Sequence, residues 1–197
     1  DRVRAAMSAE FRTGGMTDMS ARSLFAALLL ATTSTIAAAE PTPKEQLLKP
    51  PADAQHYVVV SAAGKHGDQW AWTLADGALA SRYSQSLRGW ITETDEVMAL
   101  GPDGLPTKIV IRGITPSGDA AETFTLADGK AVWKATADSG ELPASNAFYL
   151  AAGGTNMANV PLVAALNKAG ATGIHLYPSG KASLEKAAAF QIKGPNG

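Results

Sequence analysis

The chain has 197 residues, 46% of them apolar and 18% charged, and its 17 basic and 18 acidic side chains leave a net charge of −1. This length and apolar content fit one ordinary folded domain and exclude an intrinsically disordered chain. A nucleic-acid binder needs a clustered basic surplus, and the charge balance offers none. Because the sequence contains no cysteine, disulfides, zinc–thiolate sites and thiol nucleophiles are excluded.

Residues 19–39 have the pattern of a secretory signal peptide. Arg22 lies in a short positively charged start, an apolar run follows over 24–31, and small residues precede a cleavage site after Ala39. A transmembrane anchor would need about 18 to 20 continuous apolar residues, and the polar stretch 32–35 interrupts the run. We therefore expect a cleaved signal, no stable membrane span, and a mature protein in the periplasm or outside the cell.

The remaining organisation follows from composition. Residues 1–18 resemble upstream sequence rather than a native start, because Met19 opens the signal peptide. Four prolines mark 40–54 as an extended Pro-rich linker, so that order should begin near Gln55. We predict one domain over 55–197, and because its end interrupts strand-like sequence we expect truncation before a further domain.

Short strands separated by turn sequences are predicted from residue 56 onward. The turns contain Gly or Asp, the residues that tolerate positive φ where a chain reverses. The predicted strands are 56–62, 68–74, 79–87, 90–100, 108–114, 122–126 and 131–137. In several of these strands, polar and apolar residues alternate, which is typical of antiparallel sheets with one solvent-exposed face. The predicted core consists of Trp70, Trp72, Trp90, Ile109, Ile111, Phe124 and Trp133.

A single helix is predicted over 160–169, with Asn159 as its cap and Gly170 just past its end. A short strand is expected over 173–177, whereas 182–192 fits a strand or a helix equally well. The fold class is therefore α+β and β-dominated: a curved antiparallel meander of about seven strands with one C-terminal helix packed on it.

The sequence contains few groups in a pattern that indicates chemistry. His56, His66 and His175 form no compact ligand pair, and no Gly-x-Ser-x-Gly elbow activates a serine. Gly153-Gly154-Thr155-Asn156 lacks the rest of a phosphate-binding loop and is interpreted as a connecting loop. We predict no catalytic, cofactor-binding or metal-ligating residue in this chain.

Acidic and aromatic clusters are the remaining candidates. Glu93, Asp95 and Glu96 resemble paired catalytic carboxylates, but a solvated strand face is the preferred interpretation. The concave side of a curved sheet can hold an apolar pocket, with core packing as the alternative role of its aromatic residues. The candidate pocket residues are Trp70, Trp72, Tyr83, Trp90 and Tyr149.

Four phrases together resemble a known arrangement. They are HYVVVSAAGK at 56–65, GPDGLPTKI at 101–109, FTLADGKAVWK at 124–134, and Phe148-Tyr149. Preceded by a signal peptide, they are similar to the amino-terminal module found ahead of the catalytic barrel in exported bacterial amidohydrolases. The resemblance covers roughly 56–190 and consists of turn and strand phrases.

The resemblance implies a downstream (β/α)₈ barrel that hydrolyses non-peptide C–N bonds with one or two divalent ions, zinc being the expected metal. The early His-x-His and other ligands of that superfamily are absent from this sequence, so no catalytic residue is carried over. The chain would be a non-catalytic leading module whose partner is the barrel of the same polypeptide.

Two further hypotheses remain open. A self-contained periplasmic module could bind a lipid or other apolar small ligand, and it should hold a dry cavity of several hundred Å³, on the order of a usual ligand pocket. A leading module should instead have a packed interior and an exposed apolar docking patch. A secreted adhesion or scaffold domain is the third hypothesis.

Overall fold

The computed structural model describes residues 40–185. The predicted upstream segment, the signal peptide and the part of the ambiguous stretch beyond 185 lie outside the described residues. The strands of the larger sheet are β1 (Gln55–Ser61), β2 (Gly64–Thr73), β3 (Leu79–Leu87), β4 (Trp90–Leu100), β5 (Pro106–Thr115), β6 (Gly118–Asp119), β7 (Glu122–Ala127), β8 (Lys130–Ala135) and β9 (Ser139–Pro143). A smaller sheet contains β10 (Ala147–Tyr149), β11 (Ile174–Tyr177) and β12 (Lys181–Ala182), and helix α1 (Asn159–Ala169) connects β10 to β11.

The larger sheet is an antiparallel meander. Its strands follow the order β1-β2-β3-β4-β5-β7-β8-β9, with the two-residue β6 pairing beside β5. The predicted fold class, a β-dominated antiparallel sheet with one C-terminal helix, is confirmed. The sheet has nine strands rather than about seven, because the two-residue β6 and the outer strand β9, which contains Gly140 and Pro143, lie where the sequence predicts no strand. As an outer strand of the sheet, β9 tolerates its proline.

The apolar core lies on one face of the sheet, called here the core face. Strand register aligns the side chains of Leu79, Met98, Ile109, Phe124 and Trp133 in one row across β3, β4, β5, β7 and β8. Helix α1 and the strands β10 and β11 pack against this row. The prediction of a helix packed on the sheet therefore holds, and the core is its contact surface.

The predicted core is correct for Ile109, Ile111, Phe124 and Trp133, which are buried. It is wrong for the other three tryptophans. Trp72 pairs with Ala80, which is the residue after Leu79 of the core-face row that contains Ile109. Because side chains alternate along a strand, the Trp72 side chain lies on the opposite face. Trp70 shares that face and stacks on His56 with ring centroids 5.1 Å apart. Trp90 lies at the β3–β4 hairpin tip and is 62% exposed.

The chain enters α1 through a 3₁₀ turn, Asn156–Ala158. Thr155 caps this turn by accepting a hydrogen bond from the Met157 backbone N–H, so Asn159, the predicted cap, is instead the first residue of α1. Gly170 ends the helix with φ 60°, as expected for a residue in the left-handed region. The cap prediction failed because the extra 3₁₀ turn moves the start of the helical path upstream.

Residues 40–54, the predicted Pro-rich linker, contact the larger sheet. They contain a 3₁₀ turn, Lys44–Gln46, and Leu47 is only 4% exposed. The Leu48 backbone N–H donates to Asp95 Oδ2 at 2.7 Å, and Lys44 Nζ lies 2.7 Å from Glu93 Oε1. This segment therefore packs on the face opposite the core, called here the charged face.

Candidate functional site

The acidic cluster is buried, which corrects the predicted solvated face. Glu93, Asp95 and Glu96 are all largely inaccessible to solvent, with Asp95 1% exposed. Alternation along β4 divides them between the two faces, Glu93 and Asp95 on the charged face and Glu96 on the core face. Buried carboxylates require hydrogen-bonding or ionic partners, and the carboxylates of the charged face have different partners from those of the core face.

On the charged face, the carboxylates are neutralised by arginines of neighbouring strands. Arg82 donates to Glu93, and Arg112 Nε donates to Asp95 Oδ1 at 3.0 Å. Burial raises the pKa of Glu93, but hydrogen bonds from Lys44 and from the Ser84 and Arg82 side chains outweigh it and lower the pKa overall. These oxygens are already engaged, so the cluster is a structural ion-pair layer and not an acid–base pair.

The loop that contains Gly153-Gly154-Thr155-Asn156, called here the glycine loop, binds the protein's own carboxylates. Glu122 accepts hydrogen bonds from Tyr149 Oη at 2.7 Å, from the Ala152 N–H at 3.2 Å and from the Gly153 N–H at 2.9 Å. The Thr155 N–H donates to Glu96 Oε2 at 2.6 Å. Backbone donors that a phosphate loop would offer to a ligand are thus used internally, in agreement with the prediction of a connecting loop.

A cleft of about 480 Å³ opens between the core face and the start of α1. Its apolar walls include Leu79, Met98, Met157 and Val160, and Trp72 of β2 and residues of the 40–54 segment border it. This volume lies within the range of small-molecule sites, about 300–1,000 Å³. The cleft is therefore the candidate binding site of the described chain.

Glu96 is the buried polar group of the cleft wall. It is 3% exposed, and its Oε1 finds no hydrogen-bond partner among the described residues. Burial raises the pKa of Glu96 and the neighbouring Glu122 raises it further, against the opposing effect of hydrogen bonds from Thr155. An unpartnered buried carboxyl oxygen is costly, so the cleft beside Glu96 is a candidate site for a hydrogen-bond donor.

The five predicted pocket residues do not share a site. Trp72 lines the cleft, whereas Tyr83 lines a separate cavity of about 160 Å³ beside the glycine loop. Tyr149 is buried, stacking on Phe124 with ring centroids 4.5 Å apart. Trp70 and Trp90 have the positions described above. Glu96 was predicted from the sequence as part of the acidic cluster but was assigned to a solvated face. The signal for its burial is its position in β4, two residues before the buried Met98 and hence on the same face.

The histidines form no shared centre. His56 Nε2 lies 2.7 Å from Asp68 Oδ1, His66 Nε2 lies 2.6 Å from Ser61 Oγ, and His175 is exposed on β11. Within residues 40–185 no group of three or more acidic or histidine side chains is placed to hold a metal ion. In the same range, no helix is both long and apolar enough to cross a membrane.

Comparison of the chain with protein-family models, with curated proteins and with solved structures gave no match.

Proposed function

We propose that the chain is the non-catalytic leading module of an exported, metal-dependent amidohydrolase acting on non-peptide C–N bonds. Its catalytic barrel lies further along the same polypeptide and holds the divalent ion, with zinc as the expected metal. The four phrases that resemble this arrangement support the proposal, and all of them fall on strands and turns of the two sheets. The structural observation that best supports the proposal is an exposed apolar hairpin tip between β3 and β4.

The hairpin tip comprises Leu87, Arg88, Gly89, Trp90 and Ile91. Arg88 and Gly89 have φ values of 52° and 82°, the conformation of a tight two-residue turn that matches strand twist. The three apolar residues around this turn are exposed, Trp90 most of all. A tryptophan presented to water on a tight turn is typical of an interaction surface, and the resemblance identifies the catalytic barrel as the partner that would cover it.

The gene downstream of codon 197 tests the proposal directly. We expect a continuous reading frame with His-x-His soon after a strand-like run. A stop codon within a few residues would overturn it. In the full-length enzyme, Trp90→Ser should loosen the module from the barrel and speed its release by limited proteolysis. Val132→Ser, an exposed apolar residue on β8, is the matched control.

Export is part of the same proposal and is tested separately. Amino-terminal sequencing of the protein recovered from the periplasm or medium should begin at Glu40, directly after the small residues of the cleavage site. Recovery of the protein only from the cytoplasm, with residues 1–39 intact, would contradict it.

The second candidate function is a self-contained module that binds an apolar small ligand, and the cleft beside α1 favours it. Organic extraction of the purified chain followed by mass spectrometry should then yield a stoichiometric small molecule. A clean extract from protein that also fails to take up an apolar probe would contradict this function.

A further inference from the structure

We propose that the cleft beside α1 binds a small organic ammonium ligand, whose charged group contacts Glu96 and whose apolar body lies against Met98, Met157 and Val160. This inference is independent of the leading-module proposal. It deepens the second candidate function by giving the apolar ligand a cationic head.

The position of Glu96 is the first step. Its Oε2 accepts the Thr155 N–H at 2.6 Å, while its Oε1 has neither solvent contact nor a partner among the described residues. A ligand N–H donor that reaches Oε1 satisfies an otherwise unpaired oxygen. Met98 and Met157 share the wall, and their flexible thioether side chains can reposition to admit the donor.

The charge of the lining is the second step. Asp53 and Glu96 are the ionisable residues that line the cleft in the described chain, and both are acidic. A carboxylate ligand would be repelled by Asp53 and would disfavour ionisation of Glu96, whereas an ammonium group would be attracted to Asp53 and would favour the ionised form of Glu96.

Glu122 distinguishes this site from the other buried carboxylate of the core face. Its oxygens accept three hydrogen bonds, from Tyr149, Ala152 and Gly153, and it does not line the cleft. Of the two carboxylates, only Glu96 has an oxygen without a hydrogen-bond partner among the described residues and also lines the cavity of about 480 Å³. A six-carbon chain with an ammonium head is a suitable first probe for this space.

The test is calorimetric titration of the full chain with hexylammonium, hexan-1-ol and hexanoate. We expect hexylammonium to bind about tenfold more tightly than hexan-1-ol, the effect of one hydrogen bond to a charged group, and hexanoate not to bind. Glu96→Gln should weaken hexylammonium binding about tenfold and leave hexan-1-ol unchanged. The exposed Glu141→Gln is the matched control and should change neither affinity.

Equal affinities for hexylammonium and hexan-1-ol, or equal hexylammonium affinities of Glu96→Gln and wild type, would overturn the ammonium site while leaving an apolar-ligand site intact. Failure of both probes to bind folded protein would overturn both. If Glu96→Gln does not fold, Val160→Arg serves instead, because Val160 is exposed at the cleft. The added cation should abolish hexylammonium binding; unchanged binding would contradict the proposal.

Discussion

Glu122→Gln should strongly destabilise the fold, although it changes only a charge and one oxygen. Glu122 is 4% exposed and accepts three hydrogen bonds, from Tyr149 Oη, the Ala152 N–H and the Gly153 N–H. A glutamine can accept through its oxygen only, and its amide group would face one of these donors. With about 1.5–3 kcal/mol for each hydrogen bond to a charged group, losing one bond and weakening the others gives a loss of about 3 kcal/mol.

Urea unfolding followed by tryptophan fluorescence measures this loss, and a thermal scan should show a Tm lower by roughly 10 °C for a domain of this size. Glu141→Gln is the control, because its ion pair with Lys130 is exposed and contributes at most about 1 kcal/mol. Tyr149→Phe removes a single donor and should cost less than Glu122→Gln, with the double variant losing less than the sum. If Glu122→Gln lost no more stability than Glu141→Gln, the assignment of Glu122 as the anchor of the glycine loop would be refuted.

Three other outcomes are expected. Burial raises the pKa of Glu96, and Glu122 adds to the effect. The stabilisation from the neutral carboxyl group is therefore complete below the unfolded pKa of 4.5 and is lost as the pH rises through the folded pKa. Above pH 4.5, the urea midpoint of Glu96→Gln should fall less with rising pH than that of wild type. The pKa of Glu93 shifts in the opposite direction, because hydrogen bonds from Lys44, Ser84 and Arg82 lower it against the effect of burial. Wild type should therefore lose more stability than Glu93→Gln as the pH falls below 4.5. Phe124→Ala, at a position 0% exposed, should cost about 3–5 kcal/mol in urea unfolding, and a loss below 1 kcal/mol would contradict its central place in the core.

Local sequence was sufficient to predict seven of the nine strands of the larger sheet and most turns. Asp128 and Gly129, for example, form the positive-φ turn between β7 and β8 that their residue types favour. Which face of the sheet each residue occupies was harder to predict from local sequence, because it depends on the register between strands. Trp72 and Ile109 both alternate correctly within their own strands, yet cross-strand pairing places them on opposite faces.

The candidate site was harder to predict for a related reason. The partners that make burial of Asp95 tolerable, Arg112 and the Leu48 N–H, are remote from it in sequence. Glu96 faces a cleft only because the start of α1, with Met157, returns to the core face. No pattern within β4 specifies that return, so an acidic triplet in a strand was assigned to solvent.

Because of the connection between β10 and β11, we expect the two sheets to form at different times during folding. In the meander each strand pairs with a near neighbour in the chain, which requires only short loop closures. The parallel pairing of β10 with β11 must wait until all of α1 has been ordered between them. The α1 side of the cleft is therefore expected to dock last during folding and to open first in the native state. Amide hydrogen exchange would then be faster in the segment carrying Met157 and Val160 than in β4, so that access to the cleft is governed by local opening of one wall while the sheet stays intact.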